Sequence, residues 1–424
     1  MVSAGDTAFL MLCTAMVLLM TPALALFYGG LVRKTDILTT MIQTFICLGL
    51  VTVIWVLGGF SLVFGPDIGH IIGNPLTFLG MRGIGGQANA KYAATVPFIV
   101  FFAYQMMFAI ITPALVTGSF VSRFRFTSYI WFVLLWTAFI YLPVAHWIWG
   151  SGFLSKLGVV DFAGGLVVHT TAGLSALTVA KLLGPRRDGD RSAAASNIPL
   201  VAVGAGLLWF GWFGFNSGGA YRANALASYA FVNTTLSAST ALLVWLFWYW
   251  RANKRESFSA VLVGAVAGLA TITPAAGYVK PWAALMIGAI GASACYFAKD
   301  LQTSLKIDDA LEVFRAHGVG GITGSLLIGI FATKTIDGVS GSARQFLIQL
   351  FATIVVAAYS VVVTWLIMKT LNAVGPVRVS AEEEARGLDQ EEAYHLGIAL
   401  SETTPDRVVV SENYTKVPAA SPAE

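Results

Sequence analysis

Apolar residues run along this chain in stretches of about 20, divided by short polar connections. The stretches fall at 8–30, 40–64, 93–119, 126–149, 161–182, 197–217, 226–250, 257–275, 281–299, 313–332 and 344–371. Each is long enough to cross a hydrocarbon core as a helix, the form that satisfies its backbone polar groups internally. An odd number of crossings puts the two chain ends on opposite sides.

Basic residues choose the sides. Alternate connections hold Arg33, Lys34, Arg123, Arg125, Lys181, Arg186, Arg187, Arg191, Arg251, Lys254, Arg255, Lys299 and Lys306. The opposite set has only Arg82, Lys91, Lys156, Arg222, Lys280, Lys334 and Arg344. The positive-inside rule places the richer set in the cytoplasm together with the C-terminus, and the N-terminus outside. Met1 to Asp6 contain no Lys or Arg, so the first stretch lacks the basic start of a signal peptide and reads as a retained span.

Composition agrees. Of 424 residues, 57% are hydrophobic and 11% charged, less than half the charged share of soluble domains, about 25%. A soluble enzyme and a disordered chain are excluded. The net charge of +4 hides a division: +10 over residues 1–371 and −6 over 372–424. The basic excess sits in short loops and makes no surface for nucleic acid. Cys13, Cys47 and Cys295 are too few and too scattered for a disulfide scaffold or a metal cluster.

A faint repetition runs through the spans. Phe27-Tyr28-Gly29-Gly30-Leu31-Val32-Arg33 near the end of span one is echoed by Phe215-Asn216-Ser217-Gly218-Gly219-Ala220-Tyr221-Arg222 near the end of span six. Each half later carries one histidine in a glycine-rich stretch, His169 and His317. Five spans per unit would invert the second copy, an arrangement common in transport proteins; close packing through small residues is the plainer explanation. The expected fold is an all-α polytopic membrane protein of eleven transmembrane helices. Its two inverted five-helix repeats lie at about 8–182 and 197–332, with a final helix at 344–371. Residues 1–371 form the membrane domain and 372–424 a cytoplasmic tail.

Polar groups inside the spans are few. Asp161, at the start of span five, is the one carboxylate, and fits either a helix cap or a fixed charge at the mouth of a pore. His169 follows it by eight residues, about 12 Å along a helix axis. Neutral imidazole donates at one nitrogen and accepts at the other, so His169 and His317 together could form a polar line through an apolar bore. Two imidazoles are too few for an ordinary zinc site; a histidine-linked proton relay stays open. Aromatic residues are the other feature: Tyr104 and Phe108 share a helix face, Trp149 ends span four, and Trp209, Trp212 and Phe215 recur at helical spacing. Such rings serve as membrane-edge anchors or, gathered at a mouth, bind a small cation through their π faces.

The stretches ALFYGGLVRK (25–34), FAIITPAL (108–115), DFAGGLVVHTTAG (161–173), GWFGFNSGG (211–219), TPAAGY (273–278) and AHGVGG (316–321) together resemble the ammonium transporter (Amt/Mep/Rh) family, from about Thr21 to Gly397. That resemblance implies a cell-membrane homotrimer with one pore per monomer, no cofactor and no metal. It implies an outer recruitment site at Phe108, Trp149 and Gly219, and a gate of Tyr104, Phe108 and Phe215. Tyr141 and Trp212 line or support the pore, His169 and His317 are the paired pore histidines, and Asp161 is the structural carboxylate. Two positions depart from the family. Tyr104 stands where phenylalanine is usual, and its hydroxyl is expected to face solvent or soften the barrier. Gly219 stands where many members place serine, so recognition there is expected to lean on aromatic faces, water and backbone carbonyls.

A bare cation is costly in hydrocarbon, and ring faces offset only about 2 kcal/mol at a desolvated entrance. Ammonium can surrender a proton and cross as ammonia. The tail, Glu382-Glu-Glu-Ala-Arg-Gly-Leu-Asp389 through His395-Leu396-Gly397, resembles the family segment that couples the pores to a PII-type nitrogen regulatory protein. Residues 398–424 read as flexible, and the Asn413-Tyr-Thr415 sequon as unused in the cytoplasm. The competing function is an ammonium sensor signalling through this tail. A membrane enzyme is disfavoured, because no nucleophile, base and orienting acid assemble from these motifs.

Overall fold

Small polar side chains mark where many helices begin. Ser3, Asn197, Asn224, Ser257 and Ser342 each accept the backbone N–H three residues on, satisfying a donor that has no partner within its helix. The computed structural model describes residues 1–187 and 195–389. The expectations for Arg191, for the tail through His395 and Gly397 and for the end containing Asn413 lie outside those residues.

The helices run in the order α1 (Ala4–Leu31), α2 (Lys34–Phe64), α3 (Phe98–Ser119), α4 (Phe126–Leu157), α5 (Gly165–Leu183), α6 (Ile198–Ala220), α7 (Ala225–Asn253), α8 (Phe258–Ile272), α9 (Pro281–Ser304), α10 (Phe314–Val319 continuing as Gly320–Phe331) and α11 (Ala343–Val374). A short α12 (Ala381–Arg386) follows. Among the described residues nine of these, α1 to α7, α9 and α11, are long and apolar enough to cross a membrane. The shorter α8 and α10 coincide with the eighth and tenth apolar stretches. The protein is an all-helical, multi-pass membrane protein.

Several boundaries depart from the sequence reading, and three of them bear on the site and its surroundings. α2 starts at Lys34 rather than 40. The third stretch opens as a strand: Ala93–Pro97 pairs antiparallel with Ala88–Asn89, and Asp67–Ile68 pairs with Ile72–Gly73 in the same connection. Pro97 ends that strand directly ahead of α3, where its missing N–H is no loss. The fifth helix begins at Gly165, so Asp161 precedes it instead of lying within it.

α1 packs along α6 at backbone distance: a Cβ at Gly204 would fall against the backbone of Phe27. Without a hydrophobic drive between helices in lipid, such close approach supplies the dispersion contacts that hold them. α11 packs across α10, α5 and α4. After α11, a capping box of Ser380 and Glu383 starts α12. Glu384 takes Arg378 and the N–H of Arg187 at 2.8 Å. Asp389 accepts from the N–H groups of Leu38 and Thr39, also at 2.8 Å. Burial raises the Asp389 carboxyl above its ordinary range. The start of the tail is therefore bolted to the first turn of α2 and to the connection after α5.

Candidate functional site

The two histidines meet because glycine lets their helices cross. A Cβ at Gly173 on α5 would fall on the backbone nitrogen and Cα of Gly318 on α10. One at Gly321 would stand 2.8 Å from the His169 Cβ. Both histidines sit in wide π-helical turns, Gly165–Thr170 and Phe314–Val319, a distortion concentrated at functional sites. The crossing brings His169 Nδ1 to 3.2 Å from His317 Nδ1, with the rings 5.2 Å apart and inclined by 16°. One nitrogen must donate and the other accept, so the pair shares a single proton along that line. Both rings are buried, and His169 Nε2 has no partner within the protein.

Each histidine hangs from a carboxylate at the start of its helix. Asp161 accepts four backbone N–H groups, Gly164, Gly165, Leu166 and Val167, at 2.6–3.1 Å. Asp309, eight residues before His317, accepts from Phe314 N–H at 2.7 Å and Gln302 Nε2 at 3.1 Å, while its second oxygen is buried without a partner. Burial pushes the Asp309 carboxyl up to about 6. Sequence reasoning passed over Asp309, although its spacing to His317 repeats that of Asp161 to His169.

Rings close the bore above the histidines. Phe108 and Phe215 lie 4.3 Å apart between centroids, and Tyr104 and Trp149 meet Phe108 edge-on at 4.9 and 5.8 Å. Trp149 is partly exposed, with its Nε1–H fixed at 2.9 Å on the Asp161 carbonyl. Phe215 and Trp212 then stack on His169 at 6.0 and 5.6 Å. Trp212 is held by a 2.9 Å bond from its Nε1–H to Thr273 Oγ1, a contact with no signal in the sequence.

The Tyr104 hydroxyl corrects one expectation. It does not face solvent: it is buried and donates to the carbonyls of Phe215 and Gly214, at 2.7 and 3.2 Å. The ring therefore presents carbon to Phe108, as a phenylalanine would. At Gly219 a Cβ would stand 2.8 Å from the Phe162 carbonyl oxygen and 3.2 Å from its ring, so glycine here admits Phe162 at close range. Tyr141 packs 6.5 Å from Trp55, and its buried hydroxyl has no partner.

Beneath the gate lies a narrow cavity of about 20 Å³, walled by Phe27, Tyr28, Leu115, Leu208 and Leu311 beside Trp212, Phe215 and the histidines. That is room for roughly one water-sized molecule. Tyr141, Trp149 and Gly219 are not among its lining residues. A hydrated cation does not fit, whereas a small neutral hydrogen-bonding molecule finds the two imidazoles as its polar contacts.

The sequence pattern of the Ammonium Transporter Family matches residues 8–395. The chain is 44% identical over 402 residues to an ammonium transporter of Aquifex aeolicus, covering 92% of this chain and 94% of that one. It is 40% identical to one of Bacillus subtilis, covering 91% and 96%. Among solved structures, Mep2 of Candida albicans superposes with a TM-score of 0.85 at 32% identity, over 96% of this chain and 93% of that one. A protein described as a sensor Amt protein gives 0.85 at 30% identity, over 92% and 98%. On its sequence and its structure alike, the chain is a member of the ammonium transporter family.

Proposed function

We propose that the protein moves ammonium across the membrane by stripping it to ammonia at a gated mouth, where its proton passes to water, and conducting the neutral molecule between His169 and His317. The observation that carries this reading is the buried imidazole pair, with His169 Nε2 unspent inside a water-sized apolar cavity. In this reading the ring faces of Phe108 and Trp149 attract the cation, while Gly219 contributes no hydroxyl. The gate of Phe108 and Phe215, backed by Tyr104, excludes its hydration shell. Trp212 and Tyr141 support the walls, and Asp161 fixes the mouth. The imidazoles then hydrogen-bond ammonia without presenting a fixed charge. Family membership supports a transporter rather than a catalyst.

The same reading takes α8 and α10 as spans, giving eleven, with the N-terminus outside and the C-terminus in the cytoplasm. The two carboxylate-to-histidine spacings, eight residues each, support two inverted repeats and a final helix. They likewise support residues 1–371 as one membrane domain. Trimeric assembly follows from the family resemblance. The bolted segment 375–389 offers a place for a PII-type protein to act.

Sealed vesicles containing the purified protein test the reading: ammonium, methylammonium and potassium are compared while current and internal pH are recorded. Uptake of the first two with little response to potassium is the expected result; no flux above protein-free vesicles contradicts it. A second reading, ammonium sensing through the tail, is favoured by the likeness to a sensor Amt protein. Removing residues 372–424 separates the two, because flux survives in a transporter while a sensor loses its output.

A further inference from the structure

Below the histidines a second, larger cavity opens where α1 and α7 finish, at the end of the bundle away from the gate. It measures about 450 Å³, and Val263 and Leu311 line both it and the narrow pore cavity. The single stretch 311–317 parts the two. Leu311, Ala316 and His317 face the pore, while Leu311, Glu312 and Arg315 face the larger space. Arg315 stands two residues from a pore histidine, almost wholly buried, and the transport reading gives it no task. Burying an ion is costly, so its partners show what it is held for.

Those partners lie on three elements. Arg315 Nε–H donates to the Cys295 carbonyl at 3.1 Å and Nη2–H to the Tyr296 carbonyl at 3.2 Å, both on α9. The guanidinium carbon lies 5.2 Å from the centre of the Trp245 ring on α7. Nη1 reaches the Glu312 carboxylate, three residues back along its own segment. Glu312 is the residue that needs holding: its backbone is left-handed, with φ +61°, a conformation that residues other than glycine seldom adopt. Such strain lasts only where surrounding contacts fix it. We propose that Arg315 is a positioning residue of the pore: its planar fork ties the 311–317 stretch to α9, and so sets the partition between the two cavities and the height of His317. The pore role rests on the transport reading above; the clamp itself does not.

The clamp needs an arginine. All three guanidinium nitrogens donate, at a spacing fixed by the group itself, which the single ammonium of a lysine cannot reproduce. Backbone bonds alone would hold the stretch more loosely: Leu311 N–H donates to the Gly118 carbonyl, and Ala316 N–H to the Glu312 carbonyl, both at 3.0 Å. Without the guanidinium, Glu312 is free to relax out of the left-handed region. Leu311 on one side of it and Ala316 on the other then move with it. A bore with room for roughly one water-sized molecule has little tolerance for such a shift. The rings of Phe108 and Trp149 sit on α3 and α4, away from the clamp, so recruitment of the cation should be untouched.

Methylammonium uptake by sealed vesicles containing the full-length protein tests this. Arg315→Ala should lower the maximal rate about ten-fold and leave the half-saturating concentration unchanged. Arg315→Lys should recover little of that loss, because it restores charge without the fork. Guanidinium on both sides of the membrane should restore much of the Arg315→Ala rate, with the wild type at the same concentration as reference. Urea, alike in shape but uncharged, should not. Hydrogen exchange in lipid nanodiscs reads the clamp independently of flux: amides of residues 311–317 should lose about ten-fold in protection in Arg315→Ala and recover it with guanidinium. Wild-type rates in Arg315→Ala or Arg315→Lys overturn the proposal, as does a loss that guanidinium leaves unrepaired. A raised half-saturating concentration at an unchanged maximal rate overturns it too, since recruitment and not the partition would have changed. Where Arg315→Ala does not assemble, Glu312→Ala cuts the clamp at its exposed end; lowered rate and protection are expected, and wild-type values overturn the proposal. No uptake by the wild type defeats the transport reading, while the exchange measurement still decides the clamp.

Discussion

The two histidine-bearing helices begin alike and are finished differently. Asp161 at the head of α5 spends both oxygens on four N–H groups, whereas Asp309 at the head of α10 leaves one buried oxygen without a partner. The first is a closed cap whose charge is absorbed by the helix start. The second is under-satisfied, and its carboxyl is pushed up to about 6. One arrangement thus serves for rigidity near the mouth and leaves a titrating group at the other end.

Substitution separates the two most strongly. Asp161→Ala orphans four buried N–H groups and should cost about 3–5 kcal/mol or prevent assembly. Asp309→Ala removes fewer bonds and should cost about half as much. Thermal unfolding in detergent measures both, and equal losses would erase the distinction. Next in size is the crossing itself: Gly321→Val drives a side chain against His169 and should abolish ammonium uptake while lowering the unfolding midpoint. Retained uptake would show that the imidazole pair tolerates displacement.

The pH response is smaller. A carboxyl raised from about 4 to about 6 on folding favours its protonated form, so its contribution is present below pH 4 and is lost as pH climbs to 6. Against the background of the other carboxylates, Asp309→Asn should remove up to about 3 kcal/mol of that fall. Unfolding midpoints of the two proteins at several pH values check it, and parallel curves would refute it. Smallest is Tyr104→Phe, which deletes a hydroxyl bonded to two carbonyls; it should cost about 1–2 kcal/mol and leave flux intact. A large loss of flux would make Tyr104 more than a buried brace.

Much of this was legible in the chain. Runs of apolar residues announce membrane helices because lipid leaves the backbone no other partner, and the motifs around Asp161, His169 and His317 carry the family. What stayed hidden depends on contacts between distant segments. The strand at Ala93–Pro97 reads as an apolar continuation of α3 until its pairing with Ala88–Asn89 is seen. The Tyr104 hydroxyl finds carbonyls more than 100 positions away, which no local pattern reports. Asp309 could have been found, since counting eight back from His317 reproduces the spacing at Asp161. Its connection position concealed it.

The central claim is that ammonia, and no intact cation, passes between the imidazoles. Ammonium and potassium flux into sealed vesicles, compared for the wild type, His169→Asp and His317→Asp, addresses it most directly. The account predicts that the wild type rejects potassium and that a carboxylate at either position admits it or stops ammonium flux. Unchanged ammonium-to-potassium discrimination in both variants, with normal assembly, would contradict it.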